Sequence, residues 1–390
     1  MIILKKMDSN EELPMYVSDP ILNKDGLTSF TSYSLQGTKI PEKLTRRYKD
    51  FDSLRTKLVE RWPGVYIPNI PHKKKVGAKE KEFVDLRIEM INRFCCKLAN
   101  IDYLFKAEET ELFLQNVNDV TKSLNSLSQQ SYEDLLKKYS MIFVNYDENF
   151  DTQQGKANQA RFLQIIKAAY PRIRAFRDLV KASKDNFKQT QDTNTLIINM
   201  FSLYEKETMK DYCENDEGKL VFFNMKNMDL CESISKVQEN VINPYDKLYD
   251  SITEDMLDTE AMIEAFTTLN ALQDTLDKIT KNLNSTTTQL TELQAGKSNL
   301  KSVFSFKSKE QNISKLTEEK EKLEKDMENL TQIIKIATFN MENEMNGFKV
   351  KSLEVYYDEL DKLESAYNAN NKLYDELWDT VLRDQNIMNC

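Results

Sequence analysis

Three separated groups of residues in the first quarter of the chain could do chemistry on an anion. The first is Arg46-Arg47-Tyr48-Lys49-Asp50-Phe51, where two guanidinium forks stand beside a flat aromatic ring. Planar, permanently charged forks suit paired phosphate oxygens, and a tyrosine face suits a sugar-like ring. Taken alone the run is a weak signal, because basic runs beside strands are usually solvated. The second is Ile67-Pro68-Asn69-Ile70-Pro71-His72-Lys73-Lys74-Lys75, an apolar loop stiffened by two prolines and ending in three lysines. A rigid loop with cations at its end makes one wall of an anion pocket. The third is Arg87, set among apolar residues spaced for one helix face. It either snorkels to water or points into a pocket.

Other chemistries find no constellation. His72 is the single histidine, so neither a Ser-His-Asp triad elsewhere nor a multi-histidine metal site is expected. The five cysteines, Cys95, Cys96, Cys213, Cys231 and Cys390, show no metal-ligand spacing and suit a reducing compartment. Gly296-Lys297-Ser298 looks like the end of a phosphate loop, but position 291, where that motif needs glycine, is Thr. The expectation is a protein that is not an enzyme and has no cofactor, no metal and no nucleic-acid partner. Charged residues make up 30 % of the chain and no apolar run approaches the ~20 residues of a membrane helix. Met1-Ile2-Ile3-Leu4 is too short for a leader, Ile2 rules out myristoylation and a terminal Cys390 rules out a prenylation box. Any membrane attachment is therefore expected to be peripheral, through folded surface.

The elements that must position these residues divide into two kinds. Six of the eight prolines lie in the first 71 residues, so short strands and turns are expected there and long helices afterwards. Residues 1–120 hold 20 Lys and Arg against 18 Asp and Glu; the remainder holds 34 against 45. Met15–Ser18, Phe30–Leu35 and Lys43–Tyr48 read as strands, with turn chemistry at Asn23–Gly26. Asp50–Arg61 reads as a helix on Phe51, Leu54 and Leu58. Glu80–Ala99 reads as another, on Phe83, Leu86, Met90, Ile91, Phe94 and Leu98, and Leu104–Val117 as one or two short ones. Tyr132–Val144 reads as a short amphipathic helix, at a membrane or, as favoured, strapping two parts together.

Three long helices follow, over about 157–213, 219–295 and from 309 onward, with breaks at Asp216–Gly218 and Gly296–Lys309. Pro171 and Pro244 are expected to bend or interrupt the first two. Apolar residues beyond a strict seam, Ile333, Ile336 and Phe339, suit a three-helix bundle better than a two-stranded rope.

The order Arg-Arg-Tyr-x-Asp-Phe, Pro-x-x-Pro-x-Lys, then a helix arginine resembles the phox-homology (PX) domain over about residues 12–120; Val17-Ser18-Asp19-Pro20 is similar to its first strand in sorting nexins. The resemblance implies that Arg47 meets the 3-phosphate of phosphatidylinositol 3-phosphate. It places Tyr48 under the inositol ring, Lys73 near the 1-phosphate and Arg87 at the ring hydroxyls, with Arg46, Lys74 and Lys75 as secondary contacts with anionic lipid. A PX domain before three long helices resembles the PX–BAR sorting nexins, and Phe339–Trp378 is similar to their third BAR helix. That implies an α+β PX domain over 1–120, with a three-stranded sheet plus helices, and a linker over 121–150. An all-α, elongated three-helix BAR domain over 151–390 follows, forming a homodimer or a heterodimer with another BAR protein.

Such a protein is expected in the cytoplasm, peripheral on endosomal membranes, sensing or inducing curvature. The alternative is a coiled-coil scaffold whose PX-like domain binds protein. Because the helical half is acidic, membrane contact must be local. Lys297, Lys301, Phe304, Phe306, Lys307 and Lys309 in the loop between the second and third long helices are one candidate; Lys167, Arg172, Arg174, Arg177, Lys181, Lys184 and Lys188, or simply a solvated face there, are the other.

Overall fold

The computed structural model describes residues 13–25, 28–40, 42–73, 81–115, 119–204, 207–208, 230–295 and 309–384. They form two compact units, Met1–Tyr170 with Leu257–Lys349, and Pro171–Met256 with Val350–Cys390.

The first unit opens with a three-stranded antiparallel sheet, β1 (Tyr16–Asp25), β2 (Thr28–Gln36) and β3 (Leu44–Arg47), in the order β1-β2-β3. Alternation buries Val17, Tyr33, Leu35 and Leu44. The β1 register shifts between Ser18 and Ile21, where Asp19 takes φ +48 before Pro20. The first two strands run several residues further toward each other than the apolar pattern suggests, because backbone pairing continues through the polar Asn23-Lys24-Asp25. α1 (Tyr48–Arg61) follows β3 without a loop; Asp50 Oδ2 accepts the Arg47 backbone N–H at 2.9 Å and closes its first turn. α2 (Lys81–Asn100) buries Met90, Ile91, Phe94 and Leu98, and short α3 (Asp102–Phe105), α4 (Glu108–Phe113) and α5 (Val120–Asn125) complete the layer. Phe51, expected as the anchor of α1, is fully buried against Phe94 and Phe113.

α6 (Tyr132–Ile142) packs as a strap. Leu135 and Tyr139 are buried, the Tyr139 hydroxyl donates to the Pro63 carbonyl at 2.6 Å, and the Lys138 ammonium sits 3.9 Å above the Trp62 ring. Lys138 donates to the Arg61 carbonyl, while the buried Arg61 guanidinium meets Glu108 and Glu109.

Helical residues from far along the chain complete this core. α7 (Thr152–Tyr204), α9 (Tyr245–Gln294) and α10 (Lys309–Asp384) contribute Phe162, Met262, Phe266, Leu269, Ile333 and Ala337 to the cluster that holds Met15, Phe51 and Trp62. Where α1 ends, Gly64 takes φ +76, and a Cβ there would stand 3.2 Å from both Ala337 Cβ and Leu269 Cδ1. Its N–H donates to Thr268 Oγ1 at 2.9 Å. Polar contacts continue along α9: Lys97 and the Tyr66 hydroxyl both reach Asp258, at 2.6 and 2.9 Å.

The second unit holds the C-terminal part of α7, α8 (Leu230–Asn240), the start of α9 and the end of α10. α7 passes unbroken through Pro171, whereas the expected second long helix is split before Pro244. The Asn370 side chain caps that split, accepting from Ile242 N at 2.9 Å and donating to Ile242 O at 2.7 Å. Val180, Leu248 and Ile252 form a small core flanked by Tyr249, Tyr356 and Leu363. The same unit leaves Leu179, Leu353 and Tyr357 at 69, 66 and 77 % exposure, and Phe176 and Leu360 are also exposed. No helix among the described residues is long and apolar enough to cross a membrane. The expected break at Asp216–Gly218 lies outside the described residues.

Candidate anion-binding site

Strand alternation separates the arginine pair. Arg46 turns inward and is 3 % exposed. Its guanidinium donates to the Phe113 carbonyl at 3.0 and 2.7 Å, to Gln115 O at 2.5 Å and to Thr45 O at 2.7 Å. The expectation of a membrane contact at Arg46 is therefore corrected: this side chain ties β3 to the end of α4. Arg47 turns to the other face, where its guanidinium lies 5.4 Å from the Phe30 ring centroid and 3.6 Å from Asp50 Oδ1. Register places Arg47 opposite Ser32.

Tyr48, the first residue of α1, donates its hydroxyl to the Pro71 carbonyl and so fixes the proline loop against the helix. Burial first, and then the Asp52 charge, push its pKa up to about 12, which keeps the phenol a neutral donor. Arg87, from the middle of α2, stacks its guanidinium 4.5 Å from the Tyr48 ring centroid. It also faces the buried Tyr33 hydroxyl, whose pKa burial raises and the Arg87 charge draws back. Arg87 thus stacks on Tyr48 and faces Tyr33, while Arg47 lies against Phe30 and Asp50.

Lys73 pairs with Asp52, its Nζ 2.5 Å from Oδ2. Arg55 Nε holds the Pro68 carbonyl at 3.0 Å while its outer nitrogen meets Glu264. Asn69 Nδ2 and His72 Nε2 reach Glu260 at 2.9 and 3.0 Å. These groups, with Tyr48, line a cavity of about 410 Å³. Sequence reasoning missed Phe30, Tyr33, Asp52, Arg55, Glu260 and Glu264. Phe30 was legible through strand pairing with hindsight of register; nothing local marks glutamates some 190 residues downstream as neighbours of the loop.

Lys74, Lys75 and the stretch holding Lys297, Lys301, Phe304, Phe306 and Lys307 lie outside the described residues, as does the side chain of Lys309. On α7, three members of the other basic candidate have acid partners: Arg177 with Asp178, Lys181 with Asp185 and Lys184 with Asp246. Among the described residues no cluster of metal-ligating side chains occurs.

Residues 37–117 match the PX domain family. The chain is 33 % identical to Sorting nexin 1 of Arabidopsis thaliana over 119 residues, covering 27 % of this chain and 29 % of that one. It is 37 % identical to Sorting nexin-18 of Mus musculus over 186 residues, covering 47 % and 29 %. It thus spans under a third of the length of either relative. Among solved structures, the SNX-BAR Mvp1 tetramer matches 95 % of this chain and 100 % of that one, with a TM-score of 0.59 and 14 % identity. The expected architecture, a three-stranded sheet with helices before a long helical region, is the one found.

Proposed function

For a chain with a PX domain, sorting nexin relatives and the fold of an SNX-BAR protein, we propose a peripheral membrane protein that recognises a phosphoinositide headgroup, phosphatidylinositol 3-phosphate first among them. The stacking of Arg87 on Tyr48, next in the chain to the strand-end Arg47, carries this reading. A monoester phosphate at Arg47 gains charge-assisted hydrogen bonds of ~1.5–3 kcal/mol each. Arg87, held flat on Tyr48, presents its edge to ring hydroxyls. Lys73 exchanges Asp52 for the diester phosphate. Residues 1–120 supply recognition, 121–150 the strap and 151–390 association, on the cytoplasmic face of endosomal membranes, as a scaffold in sorting and not as a catalyst.

A few such bonds, less the costs of ordering and desolvation, give modest affinity from one site. Two sites on one particle multiply it. Phe176, Leu179, Leu353 and Tyr357 in the second unit are exposed apolar side chains that a second BAR chain would cover, in a homodimer or heterodimer that senses or induces curvature. Liposome flotation with and without phosphatidylinositol 3-phosphate tests the headgroup. The parent floats only with the lipid and Arg47→Ala does not float; equal flotation of the two overturns the assignment. Sedimentation tests association: a dimer at micromolar concentration, and a monomer for Leu353→Glu with Tyr357→Glu. A parent that sediments as a monomer refutes a homodimer.

A further inference from the structure

The loop that ends at Lys73 is pinned from two distant parts of the sequence. From α1, Arg55 Nε donates to the Pro68 carbonyl at 3.0 Å and the Tyr48 hydroxyl donates to the Pro71 carbonyl. From α9, Glu260 takes the residue after each proline. Its Oε2 accepts from Asn69 Nδ2 at 2.9 Å, and His72 Nε2 lies 3.0 and 3.1 Å from its two oxygens. Between these tethers Ile70 is buried in the core. Lys73 directly follows His72, so its backbone starts one Cα step, ~3.8 Å, from an anchored point. Its side chain remains 62 % exposed and paired with Asp52.

Glu260 is itself braced, because the Tyr170 hydroxyl of α7 donates to its Oε1. Burial raises its pKa, but the hydrogen bonds from His72 and Tyr170 outweigh that and leave it below the ordinary value, so the carboxylate is charged at neutral pH. Glu264, one turn further along α9, holds the outer nitrogen of Arg55. Neither glutamate lies within the segment that matches the PX domain. A lysine on a slack loop must be ordered when a phosphate arrives. A loop fixed beforehand raises affinity, because that ordering no longer opposes binding.

We infer that Glu260 is a positioning residue for headgroup binding: it fixes Asn69 and His72, so that Lys73 stands ready for the diester phosphate, and it does not touch the lipid itself. This rests on the headgroup reading above and deepens it. Recognition by the PX domain is thereby made conditional on a helix residue 191 positions beyond Asn69.

The test uses the full chain and two soluble ligands: glycerophosphoinositol 3-phosphate, which carries the diester phosphate, and inositol 3-phosphate, which lacks it. Phosphorus NMR titration gives both dissociation constants. One charge-assisted hydrogen bond makes the parent prefer the diester by roughly tenfold. Glu260→Gln and Asn69→Ala cut the link from its two sides. Each should weaken the diester about threefold or more and leave inositol 3-phosphate within about twofold. Lys73→Ala should abolish the preference, and adding Glu260→Gln to it should change nothing further. Equal weakening of both ligands reports general destabilisation and overturns the inference. An unchanged preference in both variants overturns it too, as does a parent with no preference for the diester, and both leave 3-phosphate recognition standing. A parent that binds neither ligand overturns the headgroup reading, and the inference with it.

Discussion

Adjacent arginines with opposite roles make a sharp prediction. Arg46→Met keeps much of the stem volume but removes every guanidinium donor from a site that is 3 % exposed. The Phe113 carbonyl loses two bonds, at 3.0 and 2.7 Å, and the Gln115 carbonyl loses one at 2.5 Å. Bonds from a charged donor contribute ~1.5–3 kcal/mol each, but the variant no longer desolvates a charge. The net loss should be about 3–5 kcal/mol, the range for breaking a buried charged network. That is a large share of the ~5–15 kcal/mol that holds a domain folded. Arg47→Ala removes a half-exposed ion pair at 3.6 Å and should cost within ~1 kcal/mol. Urea unfolding followed by Trp62 emission gives both stabilities, and flotation gives both lipid affinities. The expected pattern is crossed: Arg46→Met unstable, Arg47→Ala stable yet blind to the lipid. If Arg46→Met matches the parent within about 1 kcal/mol and fails only on liposomes, the inward assignment is refuted.

Lys138 yields a pH signature. Burial pushes its pKa from 10.5 down to about 8. Between those values the unfolded chain holds the proton that the folded chain has lost, so the contribution of Lys138 to stability should rise with pH from about 8 to 9.5, while the buried Cys95 and Cys96, whose pKa values burial raises, act with the opposite sign. Chemical denaturation across that window should show the stability of the parent minus that of Lys138→Met rising with pH, since the cysteines contribute equally to both. Glu260 has the opposite sign: its lowered pKa stabilises the fold above the ordinary glutamate value of 4.5, and this is lost as pH falls through the folded value. Glu260→Gln should therefore weaken the acid dependence of unfolding, and an unchanged acid limb would exclude the His72–Glu260–Tyr170 link. Gly64→Ala meets both a positive φ and side chains 3.2 Å away, so calorimetry should find it destabilised by ~1–3 kcal/mol. A wild-type melting curve would show that α9 and α10 can move aside there.

Local grammar was enough to find the sheet, α1, α2 and the long helices, because strand alternation and helix periodicity survive into burial at Val17, Leu35, Phe51 and Phe94. It also singled out Arg47, Tyr48 and Arg87 as candidates, and of these Arg87 and Tyr48 stack on one another. The arginine pair misled at Arg46, where only the β3 register decides which member faces inward. The break before Pro244 followed from the missing N–H, yet the equally disruptive Pro171 stays within α7. What no window could show is the acid row Asp258, Glu260 and Glu264, which meets Arg55, Tyr66, Asn69 and Lys97. Those pairings span some 160–210 positions and exist only once tertiary packing is complete.

That separation bears on synthesis. The first unit is made of Met1–Tyr170 and Leu257–Lys349. Its last residue leaves the ribosome 349 − 170 = 179 residues after its first block is finished, a delay of about 9–36 s at roughly 5–20 residues per second. Through about the first half of that interval Gly64, Tyr66, Asn69 and Lys97 have no α9 to bond, and the apolar surface that Ala337 will cover faces water until near its end. A nascent chain in this state is a natural client for a chaperone, and a fragment cut before residue 257 would remain in it permanently.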